Sequence, residues 1–237
     1  MRTAVHGEQS GVADTGSALV EARGLYRFFH AGDEETVALR EVSLALGAGE
    51  LVALVGPSGS GKSTLLGCLA GLDDPDAGTV TVAGRRISRV GEAARTRLRA
   101  RHIGVLLQSS NLIGHLTVAA NVALAQSLAG RRGHAARTAR ADLLDRLGLA
   151  GRAGAYPSTL SGGEAARAGL AVAVAGAPPV LLADEPTGEL DRGTATDVLG
   201  LLGEQATAGT AVLVATHDEA ITAAADRVLR MRDGQLQ

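Results

Sequence analysis

Among the 23 Lys and Arg residues of this chain there is one lysine, Lys62. It stands in the run Gly56-Pro57-Ser58-Gly59-Ser60-Gly61-Lys62-Ser63-Thr64, which has the spacing G-x-x-x-x-G-K-[ST]. Glycines at these intervals let successive backbone N–H groups turn inward around a phosphate. The lysine adds a compact charge on a flexible stem, a job that the planar guanidinium of arginine does not match. Asparagine is scarce too, at Asn111 and Asn121 only, whereas Ala, Gly and Arg abound. In a chain that uses Arg almost everywhere, the retained Lys marks a place where Arg does not serve. In such a loop Lys62 reaches the β- and γ-phosphates of a nucleotide, and the Ser63 hydroxyl can ligate Mg²⁺.

The flanking sequence supplies the elements that this loop needs. Leu51 to Val55 is a continuous apolar run, as in a strand buried on both faces of a parallel sheet. Thr64 to Ala70 reads as a helix, whose N-terminus favours an anion. A second buried strand, Val180 to Ala183, ends in Asp184-Glu185, and carboxylates at that edge of a parallel sheet sit where ligands bind. Asp184 is placed to hold Mg²⁺ and Glu185 to polarise an attacking water. A third strand, Ala211 to Ala215, leads into Thr216-His217-Asp218, and His217 can hydrogen-bond a γ-phosphate. Three of the four aromatics are Tyr26, Phe28 and Phe29, and an adenine ring stacks on such rings. Strand alternation puts Phe29 on the face opposite Tyr26 and Phe28, so one ring stacks while the others pack.

Leu160-Ser161-Gly162-Gly163-Glu164 contains S-x-x-E, a helix capping box. It also resembles the signature of the ABC ATPases. Gln108 matches that family's Q-loop glutamine, Gly188-Glu189-Leu190-Asp191 its D-loop, His217 its switch histidine, and Phe29 its adenine-stacking aromatic. The resemblance runs from about residue 19 to the end and is nearest to the lipoprotein-releasing and macrolide-exporter type. It implies an ATPase with ATP and Mg²⁺ as cofactors. Gln108 joins Glu185 and His217 around the attacking water, and it joins Ser63 and Asp184 around the metal. It further implies that Ser161, Gly162, Gly163, Glu164 and Asp191 contact nucleotide held by another chain's Lys62 loop. One chain carries one loop and one signature, so two copies, head to tail, complete two sites. Ala165-Ala166-Arg167, Val172, Ala120 and Glu189 depart from the family pattern without removing a phosphate ligand.

The expected architecture is α/β: a P-loop NTPase core with a parallel sheet, a small N-terminal antiparallel β-subdomain and an inserted helical subdomain. The core takes 19–108 and 164–237, the helical insert 109–163, and residues 1–18 form a disordered tail. Asp76-Ala77-Gly78-Thr79 and Arg232-Asp233-Gly234-Gln235 read as hairpin turns. Net charge is -2, so no overall basic field draws the chain to nucleic acid. Arg85 to Arg101 holds seven arginines, read as a solvated helix face near anionic headgroups. A guanine-reading N-K-x-D is impossible when Lys62 is the sole lysine. No secretory signal is visible, and Pro178 and Pro179 break the longest charge-free run, Ala168 to Ala183, which is too short for a membrane span. Cys68 is alone, which fits a reducing cytosol. The expected setting is the cytoplasmic face of the membrane, with a separate permease as partner. Leu112, Ile113 and Leu116 lie in a loop expected to be exposed, where they can meet that permease or pack within the insert.

Overall fold

The computed structural model describes residues 18–31, 34–107, 111–188 and 190–237. β1 (Val20–Ala31) and β2 (Glu34–Leu46) pair antiparallel. β3 (Leu51–Val55) leads into α1 (Lys62–Leu69), then β4 (Ala77–Val82), β5 (Arg85–Arg86), α2 (Glu92–His102) and β6 (Ile103–Leu106). α3 (Val118–Leu128), α4 (Gly133–Arg146) and two 3-10 turns (Ala150–Arg152 and Pro157–Thr159) precede α5 (Gly162–Val174). β7 (Val180–Asp184), α6 (Arg192–Thr207), β8 (Ala211–Ala215), α7 (Glu219–Ala224), β9 (Arg227–Arg232) and β10 (Gln235–Leu236) complete the order.

The apolar runs read as buried strands form the middle of a six-stranded sheet, ordered β10-β9-β3-β8-β7-β6, in which all but the β10 edge are parallel. Alternate residues of each strand feed two different cores, as the period of two requires. Val52, Leu54, Val180, Leu182, Leu213 and Ala215 face one core, with Leu65, Leu66, Cys68 and Leu69 of α1. Leu181, Ala183, Val212 and Val214 face the other, with Leu170 and Val174 of α5 and Val198 and Leu202 of α6. The second sheet, β2-β1-β4-β5, covers the α1 side. Because β3, β7 and β8 run parallel, the segments that follow Val55, Asp184 and Ala215 emerge at one edge.

Several expectations need correction. Asp76-Ala77-Gly78-Thr79 is not a hairpin turn. Ala77 already pairs with Tyr26, and the Asp76 carboxylate accepts the Phe28 N–H at 2.8 Å. Gly78, at φ 88°, sits opposite a bulge of β1 at Gly24 and Leu25, where a Cβ would lie 2.3 Å from the Gly24 carbonyl oxygen. The real turn is at Ala83-Gly84, both at positive φ, and the predicted Arg232 to Gln235 turn is present, with Asp233 and Gly234 both left-handed. α1 starts two residues earlier than the apolar pattern shows, at Lys62.

The helix of the basic run, α2, has no buried residue, as a solvated face requires, and several of its arginines also tie neighbouring elements together. Arg95 pairs with Asp74 at 2.6 Å and also with Glu92, Arg99 donates to the Gly71 carbonyl at 2.8 Å, and Arg89 donates to that of Asp76 at 2.9 Å. Ile113 alone of its loop's three large apolar residues is exposed, while Leu112 packs on the second core. That loop is pinned by the buried Asn121 amide, which accepts the Ile113 N–H at 2.8 Å and donates to the carbonyls of Ile113, Leu116 and Thr117. Burial pushes the Cys68 thiol up to about 12, which leaves it inert as a nucleophile. Among the described residues no helix is long and apolar enough to cross a membrane. Of the tail expected over 1–18, only Ala18 lies among the described residues.

Candidate functional site

The loop from Gly56 to Lys62 wraps the N-terminus of α1 at that shared sheet edge. Two of its glycines are dictated by neighbours. A Cβ on Gly56 would lie 2.1 Å from the Met231 carbonyl oxygen, and one on Gly61 would lie 2.4 Å from that of Ala38. Gly61 also sits at φ 104°, a conformation that L side chains avoid. β2 and β9 therefore press the loop into shape from outside. α1 has no side-chain cap and no acidic residue in its first turn, so its free N–H groups stay open to an anion. The Lys62 ammonium donates to the carbonyls of Gly56 at 2.7 Å and Pro57 at 3.1 Å, which holds it over the loop.

A cleft of about 690 Å³ opens over this loop. Gly56, Pro57, Ser58, Gly59, Gly61, Lys62, Ser63 and Thr64 line it on one side, and Asp184, Glu185 and His217 on another. At the far end stand Phe29, Thr36 and Val37. Ser60 does not line it: its side chain is buried behind the loop, its Oγ lacks a hydrogen-bond partner among the described residues, and only its backbone serves the turn. Phe29 is 42% exposed, with the Arg27 guanidinium 4.8 Å over its ring, whereas Tyr26 and Phe28 stack on each other at 6.3 Å. The rings divide between faces as alternation requires, though Tyr26 and Phe28 are half-buried and the core itself is aliphatic.

Asp184 closes β7 as a buried carboxylate that opens toward Ser63, with no hydrogen bond or ion pair among the described residues. A hydroxyl and a free carboxylate are hard oxygen donors of the kind Mg²⁺ takes alongside phosphate oxygens. Glu185 follows at φ 48°, a strained value for a non-glycine residue, while its N–H still bonds the Ala215 carbonyl at 2.9 Å. This kink turns the side chain out of the sheet toward His217, whose Nδ1 lies 2.8 Å from Glu185 Oε2. The pair is close yet not aligned as a hydrogen bond, so buried Oε2 has no donor among the described residues. Thr187 Oγ1 donates to Asp218 Oδ2 at 2.9 Å and ties the two loops together. Gln108 lies outside the described residues.

The signature residues do not line this cleft. Ser161 caps α5, its Oγ accepting the Glu164 N–H at 3.2 Å, and the Glu164 carboxylate accepts the Ser161 N–H at 2.8 Å, the reciprocal box that S-x-x-E predicts. Arg152 grips the same carboxylate with two bonds, Nε–Oε1 at 2.8 Å and Nη2–Oε2 at 3.0 Å. The guanidinium first, and then the Ser161 N–H, hold the Glu164 carboxyl down at about 2. Nothing in the motif signals Arg152, one arginine among many. Asp191 caps α6 by accepting from the N–H groups of Gly193 and Thr194, and its carboxyl is lowered chiefly by the Thr194 hydroxyl. Arg167 Nη1 donates to that hydroxyl at 3.3 Å and joins α5 to α6.

Comparison with known proteins agrees with this geometry. The family profile described as "ABC transporter" matches residues 39–188. The "Lipoprotein-releasing system ATP-binding protein LolD" of Gluconobacter oxydans is 45% identical over 223 residues, covering 94% of this chain and 96% of that one. The "Macrolide export ATP-binding/permease protein MacB" of Rhodopseudomonas palustris is 42% identical over 91% of this chain, which spans only 33% of that longer protein. Among solved structures, the "Dimeric Structure of MJ0796, a Bacterial ABC Transporter Cassette" superposes with TM-score 0.87 at 32% identity, covering 92% of this chain and 96% of that one. A post-hydrolysis dimer of the same cassette, bound to ADP and Pi, superposes with TM-score 0.86.

Proposed function

Because this chain belongs to the ABC transporter family, as its ATP-binding and ATP-hydrolysing subunit, we propose that its two anion-binding helix ends act in different sites of one dimer. In each site one protomer's Lys62 loop holds the β- and γ-phosphates of ATP, and its partner presents Ser161, Gly162 and Gly163 to the γ-phosphate. The observation that carries this reading is that the capped start of α5 is absent from the cleft around Lys62 of its own chain. Adenine stacks on Phe29. Ser63 and Asp184, with Gln108, would hold Mg²⁺, which would supply positive charge to offset that of the phosphates.

Glu185 accepts the proton of the attacking water. Its Oε2 is buried against His217, which leaves Oε1 to orient that water, and Glu185, turned by the φ 48° kink, lines the cleft. His217 holds Glu185 from the solvent side and donates to the γ-phosphate, so loss of that phosphate frees it. Asp191 stiffens the turn from β7 to α6 beside the dimer seam. Residues 19–108 and 164–237 act as the catalytic core and 109–163 as the helical lever. Through exposed Ile113 that lever meets a separate membrane permease at the cytoplasmic face.

Mixing two inactive chains tests this. Lys62→Ala destroys the loop of one chain and Ser161→Glu the signature of another, and neither hydrolyses ATP alone. A mixed dimer contains one site with both parts intact, so mixing restores ATPase activity. No recovery at any ratio overturns the two-chain site.

A further inference from the structure

Arg152 lies outside every recognised motif, in the 3-10 turn Ala150–Arg152 that ends the helical segment. Its guanidinium nevertheless makes three directed bonds at the end of α5. Two go to the two oxygens of Glu164, and a third runs from Nη2 to the Thr159 carbonyl at 3.1 Å. Thr159 belongs to the turn Pro157–Thr159 that delivers the chain to Ser161. One planar fork thus joins the turn before the signature to the first turn after it.

The charge matters as much as the geometry. The capping box places a full carboxylate, Glu164, at the helix end that is to receive a phosphate from the partner. A carboxylate there strengthens the cap but repels a second anion. From these contacts we infer that Arg152 is a positioning residue for the trans site: it cancels the Glu164 charge and fixes the Ser161 turn, so that the end of α5 accepts the partner's γ-phosphate. This rests on the two-chain site proposed above. Arg152 itself touches no reacting atom. Arg137 and Arg140 lie elsewhere, around a separate hollow beside α4, so they do not substitute for it.

The inference separates charge from scaffolding. Arg152→Ala leaves Glu164 as an unneutralised anion, and ATP-driven dimerisation of the Glu185→Gln chain weakens roughly tenfold, the loss of one charge-assisted contact. Binding of a fluorescent ATP analogue to the monomer's own Lys62 cleft stays unchanged. Adding Glu164→Gln to Arg152→Ala removes the repulsion and recovers most of the lost dimerisation. Arg152→Lys keeps the charge but not the fork and falls between. The assay is light scattering against ATP concentration, with thermal melts of each variant. Where Arg152→Ala proves unfolded, Arg152→Gln takes its place. Unchanged dimerisation for a folded Arg152 variant overturns the inference, as does failure of Glu164→Gln to rescue it. If the Glu185→Gln parent itself stays monomeric in ATP, the two-chain reading falls, and this inference falls with it.

Discussion

Glu185→Gln separates stability from chemistry by amounts that the structure sets. Gln has the same shape, so the kink at φ 48° and the Glu185 N–H bond to Ala215 carry over. What folding loses is the 2.8 Å contact with His217. That imidazole is 75% exposed and the pair is not aligned as a hydrogen bond, so the contact is worth less than about 1 kcal/mol. What catalysis loses is the base proposed for the attacking water, which costs roughly 10²- to 10⁴-fold in kcat, about 3–5 kcal/mol of barrier. The Lys62 loop and Ser63 are untouched, so ATP still binds. Phosphate release should fall to near background while the thermal midpoint moves by only a degree or two. In light scattering the variant should be a dimer in ATP and a monomer in ADP. A kcat within threefold of the parent chain would refute the assignment of Glu185 as the base.

The other expectations follow from neighbouring geometry. Lys62→Arg keeps the charge, but a planar fork cannot nest on the Gly56 and Pro57 carbonyls; nucleotide affinity should drop tenfold or more in a fluorescent-nucleotide titration, and parent-like hydrolysis would contradict this. Gly61→Ala forces a Cβ to 2.4 Å from the Ala38 oxygen at φ 104°, costing about 2–5 kcal/mol; an unchanged melting point and unchanged ATP binding would count against it. The Glu164 carboxyl is lowered from 4.5 to about 2, so its stabilising effect is fully present above pH 4.5 and fades as pH falls toward 2. The gap in urea stability between the parent and Glu164→Gln should thus hold steady from about pH 7 to 5 and close below that; closure already by about pH 5 would disprove the clamp.

The strands that build the site were legible because burial on both faces leaves an uninterrupted apolar run: Leu51–Val55 and Ala211–Ala215 match the observed strands residue for residue. The capping box at Ser161 was legible because its two partners are three residues apart. Long-range pairing was not. Gly78 looks like a turn glycine until β1 is laid beside it, since it faces the bulge at Gly24 and Leu25, far away in sequence. Ser60 and Ser58 are equivalent in the loop motif, yet one faces the cleft and the other is buried, because Met231 and Ala38 press on the loop from outside. Likewise Leu112 and Ile113 are adjacent apolar residues, and only the Asn121 bonds decide which of them faces out.

The solitary ammonium over the Gly56 loop also makes this protein an unusual target for acylation. Every lysine-directed modification of a side chain, enzymatic or chemical, falls on Lys62. Acetylation there would remove the charge proposed to meet the phosphates, with no innocent surface lysine to absorb the reagent. An amine-reactive label, mapped to Lys62 by peptide mass so that the α-amino group is set apart, should therefore report occupancy of the cleft: nucleotide bound there would protect the single side-chain amine, and its departure would expose it.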